Sequence, residues 1–210
     1  PPDKPYFILG DVPAVTVETD GISEELGFES GMDGTELKIT TREHLWRINN
    51  VGIGTIYIYI PNDLTLDDIS MKLGAGNLYI EEIHANEMSV DAGTGEAVLQ
   101  NVQAQKMGLQ CGVGNIACSG CAAEELDADV GVGSLEFTLT GPEENYDYDI
   151  SVGVGEVRCG QEDFSGLGAR KEIDNHAGRL IKIDCGAGSA VIDFDGTGHM
   201  ERKEEHHNGY

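Results

Sequence analysis

Positive charge is what this chain has least of for its size. Its 210 residues include 13 lysines and arginines against 38 aspartates and glutamates, a formal net charge of −25. Such a surface repels phosphate backbones, and the few cations are scattered rather than gathered in a stripe, so nucleic acid is excluded as a partner. Long apolar runs are missing too. No stretch of about 18 hydrophobic residues occurs, so nothing in this chain is a membrane span, and no signal-peptide pattern is present. The chain opens "PPDKPYF" without Met, as expected of a processed or shortened form. Histidine is sparse and forms no constellation: His44, His84, His176 and His199 stand isolated in polar stretches, and His206 and His207 share a polar tail. They read as loop or surface residues. The single tryptophan, Trp46, follows Leu45 and reads as a core plug rather than a sugar platform.

Glycine, at 29 residues, is abundant instead. It recurs as a G-x-G frame beginning at Gly52, Gly74, Gly93, Gly112, Gly131, Gly153 and Gly186. The three central intervals are identical, those on either side are slightly longer, and the last is the longest. One G-x-G is weak evidence; seven in near-register are strong. Aligned on the first glycine, the columns are apolar at alternate positions. Three before it stand Met71, Val90, Leu109, Ala128, Ile150 and Ile183; four after it stand Ile56, Leu78, Ala97, Ile116, Leu135, Val157 and Ala190. The residue between the glycines, mostly Val, Ala or Ile, is assigned to the same inward face. Period-two alternation on both sides of a glycine corner is a strand pattern, and glycine-rich units with many Val and Ile disfavour helix. Each unit is too short to bury its apolar face alone, and stacking buries it. The expectation is an all-β chain, specifically a β-solenoid (single-stranded β-helix) of about seven coils of roughly 19–22 residues with G-x-G corners.

The segment "LQCGVGNIACSGC" (109–121) tests that frame, because its three cysteines include a C-x-x-C. Cys118 and Cys159 fall in the column of Ile80, Leu99 and Phe137; Cys111 and Cys185 share the column of Val130 and Val152; Cys121 takes the place of Ile83 and Val102. All five occupy positions that other units fill with hydrophobes, and free cysteine behaves as a small buried hydrophobe. Five buried thiols are expected, rather than a redox or zinc site. In sequence order Cys118 and Cys159 stand two coils apart, about 9.6 Å, and Cys111 and Cys185 three, which disfavours disulfides.

The expected organisation is one domain. Residues 1–48 form a lead-in and irregular capping coil, containing the strand-like pieces "AVTVETD" and "TELKITT"; 49–195 form the coils, with 160–178 projecting as a loop; 196–210 form a polar tail.

Coils such as "ISMKLGAGNLYIEEI" and "IKIDCGAGSAVIDF", with "TIYIYIP" leading into them, resemble the bacterial putative-adhesin family of glycine-repeat β-helical domains, similar in style to autotransporter-adhesin head domains. The resemblance spans roughly residues 35–195. It implies an extracellular or cell-surface location, with tethering by an N-terminal membrane segment outside this chain, and it supplies no catalytic motif.

Other chemistry fits the columns less well. Calcium-binding nonapeptide repeats place Asp after the G-x-G, whereas here Thr55, Asn77, Glu96, Asn115, Ser134, Glu156 and Ser189 follow it. A β-helical glycosidase needs a singled-out carboxylate pair, and a lyase for acidic sugars needs a cationic groove; neither is evident. Outward-facing Tyr57, Tyr79, Val98 and Ala117 make an apolar ladder, read either as an interaction surface or as covered by residues 11–48. Asp127 and Asp149, expected on neighbouring coils with Glu125, Asp147 and Asp129 nearby, form an acidic ladder read as solvated surface, with a cation as the alternative. The chain therefore reads as a non-enzymatic, extracytoplasmic binding or structural module with no catalytic, cofactor-binding or metal residues and no cofactor. Its expected partner is a protein or carbohydrate, with a homo-oligomer as an option. The alternatives are a carbohydrate-active β-helix enzyme and a sensory ectodomain.

Overall fold

The computed structural model describes residues 6–10, 12–21, 29–33, 35–40 and 55–196. The chain is all-β apart from a single 3₁₀ turn at Glu143–Asn145 among these residues. Eleven strands form two sheets. The nine-stranded sheet contains β1 (Tyr6–Gly10), β2 (Thr16–Asp20), β5 (Thr55–Pro61), β6 (Leu66–Glu81), β7 (His84–Gln100), β8 (Gln103–Leu139), β9 (Asp147–Cys159), β10 (Glu162–Ile173) and β11 (Leu180–Phe194). A separate, largely exposed hairpin pairs β3 (Glu29–Asp33) with β4 (Glu36–Thr40).

In the middle of the stack each strand lies parallel to the next at a constant offset along the chain: Met88 pairs Ile69 and Met107, and Leu99 pairs Ile80 and Cys118. Like side chains therefore stack on like, and the columns read from the sequence close into one continuous core of Leu78, Val90, Leu109, Leu126, Ile183 and their neighbours. Tyr146, Tyr148 and Phe137 fill its far end, where Phe194 packs 5.6 Å from the Tyr146 ring and edge-on to Tyr148.

The glycine corners are a steric requirement of the stacking. The second glycine of each described frame has φ between +140° and +156°, a region L side chains avoid. A Cβ on Gly133 would stand 1.7 Å from the carbonyl oxygen of Gly114 below it, and one on Gly131 would stand 2.6 Å from that of Gly112. A second corner follows, left-handed at Glu82, Asn101 and Gly120.

The order of the stack departs from the order of the chain at both ends. The spatial order is β2, β5, β1, β6, β7, β8, β11, β9, β10. β1, expected as a lead-in, sits between β5 and β6: Tyr6 pairs both Tyr57 and Tyr79. β11 sits between β8 and β9: Lys182 pairs both Asp127 and Asp149. Residues 160–178, expected as a projecting loop, instead hold β10, which runs antiparallel along the whole of β9. β2 closes the opposite edge, antiparallel to β5. Gly166-Leu167-Gly168 on β10 lies against Gly155-Val154-Gly153, an eighth G-x-G whose flanking columns run in reverse order. The turn from β10 to β11 is fastened to Asp147, whose Oδ1 accepts from the backbone N–H of Asn175 (2.7 Å) and Ala177 (3.2 Å).

The expectations for Trp46, Gly52–Gly54, His44, His199, His206, His207 and the tail from residue 197 lie outside the described residues.

Candidate interaction surfaces

The five cysteines are free and buried. Burial pushes the Cys111 and Cys185 thiols up, holds Cys118 well above the ordinary range, and takes Cys159 to about 12. Those four thiols are poor nucleophiles, whereas the hydrogen bond with Cys118 lowers the Cys121 thiol. The inserted strand changes their spacing: Cys111 and Cys185 are separated by one rung, that of Val130, whereas Cys118 and Cys159 are separated by two, those of Phe137 and Ile192.

The acidic ladder is also corrected by the strand order. Asp127 and Asp149 are not neighbours, because the Lys182 rung lies between them. The Lys182 ammonium reaches Glu125 at 3.4 Å, and Arg170 forms a two-pronged ion pair with Asp149 at 2.8 and 3.1 Å. The like-charge crowding that suggested a cation at this pair is relieved by the protein's own cations. Among the described residues no group of three or more His, Cys, Asp and Glu is arranged to hold a metal. Acidic crowding persists one column over: Asp129 pairs in register with Asp184. Burial first, and then Asp184 and Asp127, raise the Asp129 carboxyl above the usual range.

The outward column Tyr57, Tyr79, Val98 and Ala117 is half-buried, and β1 runs between its two tyrosines. A shallow groove of about 310 Å³ runs along the stack elsewhere, with Ala85, Ala104 and Ala123 as its floor and Asn86, Gln105 and Glu124 on one side. The amides there are tied along the stack: Asn86 donates to Asp67 (3.1 Å) and Gln105 to Asn86 (3.4 Å). At one end Arg179 donates to the Tyr146 hydroxyl and lies over its ring.

The most exposed apolar feature is one the columns misassigned. The residue between the glycines does not face the core. Ala75, Thr94, Val113, Val132, Val154 and Leu167 stand exposed and Ala187 half-exposed, in register along the crest of the glycine corner. Val113 and Val132 are 53% exposed, Val154 56% and Leu167 85%. Between two glycines that press on the carbonyls of the rung below, a side chain has only the outward direction left. The crest lies on parallel strands from Ala75 to Val154, ends at Leu167 on antiparallel β10, and becomes more aliphatic toward that end.

Against known families the comparison is decisive. The Toastrack DUF4097 family matches residues 14–158. The chain belongs to that family. The match starts two residues before β2 and ends inside β9, so β10 and β11 lie beyond it. No curated protein matches the chain. Among solved structures, a protein of Bacteroides fragilis described as a putative adhesin is similar at 15% identity and a TM-score of 0.50, over 91% of this chain and 88% of that one. A protein of Clostridium sporogenes described as a putative cell adhesion protein is similar at 14% identity and a TM-score of 0.47, over 91% and 87%. The Bacteroides likeness reaches beyond the matched residues and is a likeness of fold. Among the described residues no helix is long and apolar enough to cross a membrane.

Proposed function

We propose that this Toastrack chain is a β-solenoid scaffold of about seven coils that works outside the cytoplasmic membrane as a non-enzymatic, adhesin-like binding module. The observation that carries this reading is the aliphatic crest: Val113, Val132 and Val154 are held in the open on a ladder whose glycines leave them nowhere else to point. A contiguous exposed apolar line on an otherwise strongly acidic surface is the mark of a contact surface. The likeness of fold to a protein described as a putative adhesin agrees with it. The enzymatic alternative has less to work with, since the groove is lined by one carboxylate, Glu124, and glycoside hydrolysis usually uses two.

The test is retention. Immobilised on beads, the protein should hold cells, or individual protein or glycan targets on an array, at physiological salt. Release of reducing sugar from a polysaccharide, with no retention on any array, would replace the module with the enzyme.

A further inference from the structure

The aliphatic crest does not act alone, and its flanks say what it meets. One line of side chains across four rungs is too narrow for a stable contact, which takes about 800 Å² per partner. A partner seated on it must also lie on the flanks. On one side of the crest stand Gln110, Asp129, Asp184 and Ser151; on the other stand Asn115, Ser134, Ser189 and Glu156. The nearest cations are engaged already: Lys182 with Glu125, Arg170 with Asp149 and Arg158 with Asp193. Asp129 and Asp184 face each other on adjacent rungs, so a positive charge placed between them relieves a repulsion the protein carries by itself.

The spacing is equally informative. Rungs lie about 4.8 Å apart, so Val113, Val132, Ala187 and Val154 form a row along the stack axis with nearly that period. A strand laid along this row does not match it, because its same-face residues are about 6.6 Å apart. An α-helix does, with one turn every ~5.4 Å.

We infer that the crest of Val113, Val132, Ala187 and Val154 is a docking site for a cationic amphipathic helix, aliphatic along one face and flanked by lysine or arginine. This rests on the binding-module reading and gives that module a partner chemistry. A second copy of the chain fits poorly, because it brings the same acidic flanks and a net charge of −25.

The probe is a leucine–lysine peptide of about 18 residues, or five turns, with a single apolar face. A peptide of the same composition in scrambled order is the control. Titrated by fluorescence anisotropy, the protein should bind the helical peptide about tenfold more tightly than the scrambled one. The triple variant Val113→Asn, Val132→Asn, Val154→Asn should lose about tenfold in affinity while keeping the parent melting temperature. Asp129→Asn with Asp184→Asn should weaken binding several-fold and flatten its dependence on salt. Equal binding of both peptides, or of the parent and the triple-valine variant, would overturn the docking site as acidic attraction alone. So would parent protein that ignores the peptide yet still retains cells or array targets, which leaves the binding module standing. Failure of the parent in both assays would remove the module reading with it. Parent dimers in light scattering that dissociate in the triple variant would identify a second copy as the occupant and overturn the helix.

Discussion

The middle of the stack and its two ends are built from the same columns but solve different problems. Between Gly74 and Gly131 the chain simply repeats: each unit returns it to the same place one rung higher, with parallel strands throughout. At the ends a repeating scheme would leave open strand edges and an open core, the liability of any stacked sheet. Both ends answer it in the same way. The outermost parallel strand is covered by an antiparallel one, β2 at one end and β10 at the other, and a strand from a terminal part of the chain is tucked inside, β1 and β11. At the β10 end, Glu162 and Lys171 lie opposite the inward-facing Cys159 and Ile150 and form an ion pair. Charge thus closes the apolar column there. Repetition makes the core, and its interruption ends it.

The sharpest way to probe this contrast is to put one methyl group in each region. In the middle, Gly133→Ala forces a Cβ to 1.7 Å from the Gly114 carbonyl in a backbone region closed to alanine, and should abolish cooperative folding, a loss above about 4 kcal/mol. Gly168→Ala on β10 also has positive φ, but nothing stands within 4 Å of its Cβ. It should cost only the backbone term, about 1–2 kcal/mol. Urea unfolding of the two variants measures both; equal losses would mean that the corners are conformational rather than steric.

The next effect concerns the inward and outward faces of the repeating region. Leu135→Asp buries an unpaired charge and should destabilise by several kcal/mol, whereas Asn115→Asp, exposed one rung away, should stay within about 0.5 kcal/mol. A thermal melt in which both variants behave alike would break the face assignment.

A smaller effect tests the permuted end directly. Lys182 lies between Asp127 and Asp149 only if β11 is inserted between β8 and β9. Lys182→Gln should therefore destabilise, by up to about 1 kcal/mol for so exposed a group, and the loss should shrink at high salt. A stack in chain order would keep Lys182 beside Asp149 but two rungs from Glu125, and so predicts no coupling between Lys182→Gln and Glu125→Gln in a double-mutant cycle.

The smallest effect is one of pH. Asp147 is held below the usual carboxylate range, chiefly by the Ala177 N–H, with the Asn175 and Gly178 N–H groups and His176 helping. A depressed folded-state pKa supplies stability that is present above the unfolded value, near 4, and is lost as pH falls through the folded one. In Asp147→Asn that acid-side loss should flatten, seen as a smaller drop in melting temperature between pH 5 and pH 3.

The contrast also explains what could be read in advance. The regular middle was legible because its information is local: a fixed spacing, alternating Val, Ile and Leu, and a glycine pair that stacking demands. The strand pieces at 16–20 and 36–40 were visible for the same reason. The order of rungs was not, because Ile150 and Ile183 fill the same column equally well and hydrophobicity does not distinguish which rung meets Ala128. Two signals were available. Lys182 is the single cation in the column holding Asp127 and Asp149, and electrostatics places it between them. Gly166-Leu167-Gly168 announced a further corner, but its flanking columns are reversed on an antiparallel strand and do not align with the others. The crest was misassigned for another reason. Val between glycines looks like core by composition, and its direction follows from the carbonyls on neighbouring rungs rather than from alternation.

The tucked terminal strands also set a timetable. A chain leaves the ribosome from its N-terminus, yet β1 cannot find either neighbour until β5 and β6 have been made, much later in synthesis. At the other end β9 waits for β11, made after it, to fill the slot beside β8. The rungs of β6, β7 and β8 have no such wait and can close one on another as they emerge. Folding of the described stack should therefore begin at its centre and finish at both of its ends, with β1, made before β5 and β6, among the late strands to settle.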